Sequence, residues 1–243
     1  MVDYKIGDHL VDRNTKLFCS FSGNAGNFGC IMHNAAFQHL NLNCIYKSFT
    51  VSDIKDAFNA MRTLDIEGAG ISSPFKVKAL AHADDISNCA NIGSANTAIN
   101  VNGRIILFNT DFDAVNEVLN DYYGPDMKTK RLIILGDGGY AKTVIKVAEL
   151  RNIPYQTITR ENWTTIPSIS NSIIFNATPV DDIYIATNGT NELISGSLKT
   201  RVGLRLAFIQ GCKQFELYTG VPYPKHLVEK VVDDYLQAQM QYD

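Results

Sequence analysis

The chain has 243 residues, 45% of them hydrophobic and 19% charged, with a net charge of −3. That balance describes a globular protein with a sizeable core and excludes a disordered or low-complexity chain. Basic residues are scattered, with no Lys/Arg run longer than two, and no apolar run reaches a membrane span, so neither nucleic acid nor membrane is an expected partner. The start, MVDYKIGDHL, carries acids and lacks the apolar stretch of a secretory leader. Five cysteines, at 19, 30, 44, 89 and 212, form no C-x-x-C pair. Their odd count points to reduced thiols in a cytoplasm and to no structural zinc.

Residues 1–16 are polar and read as an edge segment. A strand is predicted at 17–21, followed by a loop with three glycines and two asparagines, Ser22 to Gly29. Residues 31–40 read as a helix with Met32, Ala36 and Leu40 on one face. A strand at 44–49 and a helix at 52–64, with Ser52 as its cap, come next. A strand at 69–73 stops at Pro74, and 77–83 reads as a helix. Strands at 97–101 and 105–108 flank Asn102-Gly103, a hairpin signal. A helix at 112–122 precedes Gly124-Pro125-Asp126, which breaks the pattern. Strands at 155–158 and 172–176, an irregular stretch to about 202, a helix at 204–210 and an amphipathic helix at 222–241 complete the chain. Leu227, Val231 and Tyr235 share a face of that last helix. The alternation predicts an α/β protein of two domains, 1–123 and 124–221, with a largely parallel first sheet and the helix 222–241 packing back on the first domain.

The stretch 131–142, RLIILGDGGYAK, organises the second half. A buried strand at 132–135 feeds the turn Gly136-Asp137-Gly138-Gly139-Tyr140-Ala141 and a helix to 150. This is the start of a dinucleotide-binding βαβ unit. Gly136 makes the tight turn, and Gly138 and Gly139 bring backbone N–H groups close to a pyrophosphate. The helix aims the positive end of its dipole at that group. Three polar islands lie upstream: Ser72 to Lys76, Gly93 to Thr97, and Asn109-Thr110-Asp111. A Lys and an Asp flanking a hydroxyl suit alcohol oxidation, one polarising the oxygen and the other helping to move the proton, while a nicotinamide accepts hydride. His33 reads as a helix residue bonded to backbone.

With these motifs in order, the chain resembles the shikimate dehydrogenase family. Pro74-Phe75-Lys76 stands for the family's P-H-K, and Ser94-Ala95-Asn96-Thr97 for A-V-N-T. Asn109-Thr110-Asp111, Gly136 to Gly139 and Asn176-Ala177-Thr178-Pro179 match as they stand. Gln210-Gly211 and the run Phe215 to Gly220 resemble the closing region. Asn27-Phe28-Gly29, taken with Pro74-Phe75-Lys76, is most similar to the shikimate dehydrogenase-like branch.

The resemblance implies an N-terminal α/β substrate domain, a C-terminal Rossmann-like NAD(P)-binding domain and a cleft between them. It implies NADP-dependent, reversible hydride transfer between shikimate and 3-dehydroshikimate or a related ring hydroxy acid, by a monomer or homodimer with no metal. Lys76 and Asp111 would be the catalytic pair. Asn27, Ser72, Asn96 and Gln210 would bind the small-molecule substrate. Gly136, Gly138, Gly139, Tyr140, Ala141, Arg160, Asn176, Ala177, Thr178 and Gly203 would bind the cofactor.

Several positions depart from the family. Its S-x-S pair, which grips the substrate carboxylate, is replaced by Asn27 and Gly29. Its N-R-T reads Thr159-Arg160-Glu161; Arg160 suits a 2′-phosphate and Glu161 a ribose diol, so NAD stays open. Only about a dozen residues separate Arg160 from the next strand. A parallel crossover needs at least roughly 10–12, so the second domain is expected to be shortened. Two other readings stay open: a binding protein of the same fold with little or no activity, and an NAD-dependent quinate or polyol dehydrogenase.

Overall fold

A computed structural model describes residues 4–6, 9–123, 130–181, 183 and 191–240. The first strands, β1 (Tyr4–Ile6) and β2 (His9–Val11), form a separate antiparallel hairpin. A five-stranded sheet follows, made of β3 (Lys16–Ser22), β4 (Cys44–Thr50), β5 (Gly68–Ile71), β6 (Thr97–Val101) and β7 (Arg104–Phe108). Its order is β4-β3-β5-β6-β7. The pairings β3–β4 and β3–β5 are parallel, whereas β5–β6 and β6–β7 are antiparallel, so the sheet is mixed rather than largely parallel. The cause is the hairpin: Asn102 (φ 54) and Gly103 (φ 84) both take the left-handed conformation that a two-residue turn needs.

Helices α1 (Phe28–His39) and α2 (Ile54–Thr63) make the crossovers. The cap of α2 is Asp53, not Ser52; its Oδ1 accepts from the backbone N–H groups of Lys55 and Asp56. The helix expected at 77–83 shrinks to a 3-10 turn, Lys78–Ala81. Both faces of the sheet are buried. Cys19 and Phe21 face a core with Phe58 and Met61, while Phe18 faces one with Met32 and Phe37.

Helix α3 (Asp111–Tyr122) leads to the second sheet. The break at Gly124-Pro125-Asp126 lies outside the described residues. Strands β8 (Arg131–Leu135), β9 (Tyr155–Ile158), β10 (Ser172–Asn176) and β11 (Glu192–Ser195) are all parallel, in the order β11-β10-β8-β9. Helix α4 (Gly139–Leu150) joins β8 to β9. Between β9 and β10 there is only a 3-10 stretch, Arg160–Ser168, whose Ile166 covers Ile133, Leu135 and Ile174. Leu132 and Ile134 turn to the opposite face, toward α3 and α4.

Helix α5 (Arg201–Thr219) runs well past the expected 204–210, and α6 (Val228–Met240) begins later than 222, after a 3-10 turn. Leu206 of α5 joins the core of the second sheet, whereas Phe208 and Phe215 join the core around Phe18. Val231 and Tyr235 of α6 are buried in that same first-domain core. Among the described residues no helix is long and apolar enough to cross a membrane.

Candidate active site

The three polar islands gather at the carboxyl end of β5. The N–H of Ile71 donates to Asn96 O (2.7 Å), and that of Asn96 donates to Phe108 O (3.1 Å). The loop after β5 is held by Ala95 N–H on Lys76 O (2.8 Å) and anchored by Phe75, which is buried in the first core. An apolar ring at this position therefore packs rather than binds.

From that loop Lys76 Nζ reaches Asp111 Oδ2 at 2.5 Å. The Lys76 side chain is 19% exposed and that of Asp111 8%, which leaves only the ammonium side of the pair open to a small molecule. Asp111 is the first residue of α3, where the helix dipole favours a carboxylate. Asn109 caps that helix, its Oδ1 accepting from Phe112 N–H at 3.1 Å.

Asn96 is buried and saturated. Its Nδ2 donates to Thr110 Oγ1 (2.9 Å) and Gln210 Oε1 (3.1 Å), and its Oδ1 accepts from Thr110 N–H at 2.7 Å. Asn96 thus orients Gln210, which is half-buried. Gln214, one turn further along α5, was missed in the sequence; its Nε2 donates to Asn96 O and Thr97 Oγ1, both at 3.1 Å. The i, i+4 spacing of two glutamines on one helix was the signal. Asn27 and Ser72 are exposed at the rim, and the Asn27 side chain makes no cap bond to α1.

The backbone around Gly29 is closely packed: a Cβ there would lie 3.0 Å from Tyr46 Cε1, and Phe28 is buried edge-on against Tyr235. A serine at 29 would have to displace the Tyr46 ring. His33 is not bonded to backbone. It lies in an aromatic cluster, with its ring 4.5 Å from that of Tyr46, and its buried Nδ1 has no partner. Burial lowers its pKa to about 3, against the opposing effect of Gln214 as an acceptor.

The second sheet reverses its strand order between β8 and β10, and the crevice beyond their carboxyl ends is the ligand site of open α/β sheets. Gly136 there adopts φ +108, and a Cβ would meet Thr178 Cγ2 at 3.0 Å. Gly138 caps α4, and a Cβ on it would meet nothing within 4 Å, so there is space beside the start of that helix. Asn176 shapes the opposite wall: its Oδ1 accepts from Thr178 N–H and Oγ1, and its Nδ2 donates to Val180 O. Ala177 N–H donates to Leu135 O, and Arg160 is exposed just past the end of β9. These groups fit the phosphate-bearing part of a dinucleotide.

Two residues expected at the cofactor are closely packed. Ala141 turns into the core of the second sheet. Gly203 lies under the turn after β11, where a Cβ would come 1.8 Å from Ser197 O.

The two halves meet at the Gly-rich turn. A Cβ on Gly139 would stand 2.6 Å from Lys76 Cβ. Ser94 Oγ donates to Gly139 O (2.8 Å), and Asn109 Nδ2 reaches Ser94 O (2.8 Å) and Thr143 Oγ1 (3.0 Å). The Tyr140 ring spans the remaining gap. Lys76 Nζ is 5.0 Å from its centroid, and Phe175 packs against it edge-on.

Residues 28–98 match a family model, the shikimate dehydrogenase substrate binding domain. Over part of its length the chain is thus similar to shikimate dehydrogenases. A shikimate dehydrogenase-like protein of Haemophilus influenzae is 37% identical over 150 residues, covering 61% of this chain and 54% of that protein. A Geobacillus shikimate dehydrogenase (NADP(+)) is 36% identical over 128 residues, covering 48% of this chain and 46% of the relative. The chain therefore spans about half the length of the curated relatives it matches. The solved structure of a shikimate 5-dehydrogenase-like protein, 25% identical, shares the fold at TM-score 0.73 over 93% of this chain and 99% of its own. The shikimate dehydrogenase architecture, an α/β substrate domain followed by a Rossmann-like domain, thus extends over nearly the whole chain.

Proposed function

We propose that the chain catalyses NADP-dependent, reversible hydride transfer on a hydroxyl of shikimate or a related ring hydroxy acid. The observation that carries this reading is the Lys76–Asp111 pair set directly against the Gly-rich turn, through Gly139. The names of the relatives, shikimate dehydrogenase-like protein and shikimate dehydrogenase (NADP(+)), agree with it. In this proposal residues 1–123 hold the substrate and 124–221 the dinucleotide. The cysteines, all free thiols, support a reducing cytoplasm.

A nicotinamide supplies the hydride acceptor when bound. Gly136, Gly138 and the first turn of α4 would hold its pyrophosphate, with Thr178 on the other wall and Arg160 at the adenosine end. The Lys76 ammonium donates to the reacting oxygen and stabilises negative charge as it develops there. On oxidation the Asp111 carboxylate accepts the hydroxyl proton while Lys76 holds the oxygen. Gln210, fixed by Asn96, faces a second ring hydroxyl. Asn27 and Ser72 stand at the rim where the acid end of the substrate would lie.

The test is turnover of shikimate with NADP in purified Lys76→Ala and Asp111→Ala. Each should fall by about 10²–10⁴-fold with the circular dichroism spectrum retained, the range for a lost acid–base group. Near wild-type kcat in either variant overturns its role. A second reading, a binding protein without turnover, is favoured by the short 3-10 crossover beside the adenosine site. Shikimate binding by calorimetry with no reduction of NADP would select it.

A further inference from the structure

We propose that Tyr140 gates the nicotinamide end of the crevice: its ring holds the space beside Lys76 that a nicotinamide must enter, so dinucleotide binding requires the ring to swing out. This rests on the dinucleotide reading above.

Three positions fix the geometry. The pyrophosphate cradle is at Gly138, where a side chain would meet nothing within 4 Å. The reacting oxygen must lie at Lys76 and Asp111. A hydride acceptor attached at the first and touching a carbon held at the second must pass the carboxyl ends of β8, β10 and β11. The Tyr140 ring stands on that path. On one side the Lys76 ammonium is 5.0 Å from its centroid. On the other, the turn after β11 presses so closely that a Cβ on Gly196 would lie 2.7 Å from Tyr140 Cε1. Behind it, Phe175 packs edge-on at 5.7 Å. A planar ring thus already fills a slot walled by Gly196 and Lys76. A second planar ring of similar thickness has no room there until the first leaves.

The slot is built to release it. Tyr140 is the second residue of α4, so rotation about its side-chain bonds turns the ring without disturbing the helix. Burial and the nearby Asp111 carboxylate raise its phenol well above the ordinary range, which keeps the ring neutral. The ring therefore meets Lys76 as a cation–π partner rather than through a phenolate ion pair. Once the ring is displaced, the ammonium is free to turn to substrate. The same movement would open the cofactor site and uncover the acid–base pair, which suits ordered binding with dinucleotide first.

Titration with NADPH, followed by its fluorescence, and calorimetry with 2′-phospho-ADP-ribose, which lacks the nicotinamide, separate the possibilities. The proteins are wild type, Tyr140→Ala, Tyr140→Leu and Tyr140→Phe, each checked by thermal melting. The gate predicts that Ala and Leu bind NADPH roughly ten-fold more tightly than wild type, because the closed fraction no longer competes. Phe, which keeps the ring, should match wild type, and the fragment should bind all four alike. NADPH affinity that is unchanged or weaker in both Ala and Leu, with the fragment still binding, overturns the gate and leaves the dinucleotide reading standing. If the fragment fails to bind wild type, the dinucleotide reading falls and the gate with it.

Discussion

The side chains around Asn96 and His33 solve opposite problems of burial. Asn96 satisfies its amide with Thr110 and Gln210 and so serves as a fixed post. His33 leaves Nδ1 unpaired among aromatic rings, an arrangement whose cost rises steeply when the ring must carry charge. Its folded pKa, lowered to about 3, lies below its unfolded value near 6.5. The unfolded chain therefore binds a proton that the folded one refuses between those two values. Stability is full above the unfolded pKa and is lost as pH falls toward the folded one. Between pH 7.5 and 5.5 this residue should account for a loss of about 1.4 kcal/mol. His33→Phe, unfolded in urea at the two pH values, should show a smaller drop than wild type by that amount. Parallel drops would mean that the ring is protonated in the folded protein. Little of this was legible in the sequence, where a histidine four residues before Phe37 looks like any helix residue. The Lys76–Asp111 ion pair was legible, because each residue sits in a polar run next to a strand end.

At the scale of elements, local signals decided what was readable. Asn102-Gly103 specified its hairpin because both residues tolerate positive φ. Strand β11, Glu192–Ser195, escaped notice because it shows no alternation to announce it. The reading of α5 stopped at Gln210 because Gly211 looks like a helix end. In the structure the helix continues through Gly211, since its missing Cβ lets α5 press on Met32, whose Sδ would be 2.5 Å from one. Here close packing outweighs helix propensity. The end of β9 carries its own prediction. Arg160 is the exposed cation beyond that strand, on the side of the crevice away from Lys76, and Gly136 N–H is bonded to Ile158 O at 2.8 Å just before it. Arg160→Ala should weaken NADP(H) by about 1.5–3 kcal/mol, the value of a charge-assisted bond, and NAD(H) far less. Equal losses for the two nucleotides would remove Arg160 from the 2′-phosphate site.

Across the whole molecule the two sheets are tied rather than merely adjacent. Ser94, Asn109 and Thr143 knot the start of α4 to the end of β7, and α5 contributes to a core on each side. Neither half can lose its packing without exposing the other, so calorimetry should show one unfolding transition, with calorimetric and van't Hoff enthalpies equal. Two resolved transitions would show the tie to be weak. The division into two α/β halves was visible from the order of motifs, but this tie was not, because it joins residues far apart in the chain. The return of α5 and α6 to the first half also sets an order on synthesis. Phe18, Met32 and Phe37 are made early, yet their cover, Phe208, Phe215, Val231 and Tyr235, leaves the ribosome only after the whole second sheet. Until the last two helices appear, the growing chain carries an open aromatic face, and only the far side of its first sheet is closed. Biogenesis of this first sheet thus waits on α5 and α6, and a nascent chain stalled before Arg201 is a form in need of a chaperone.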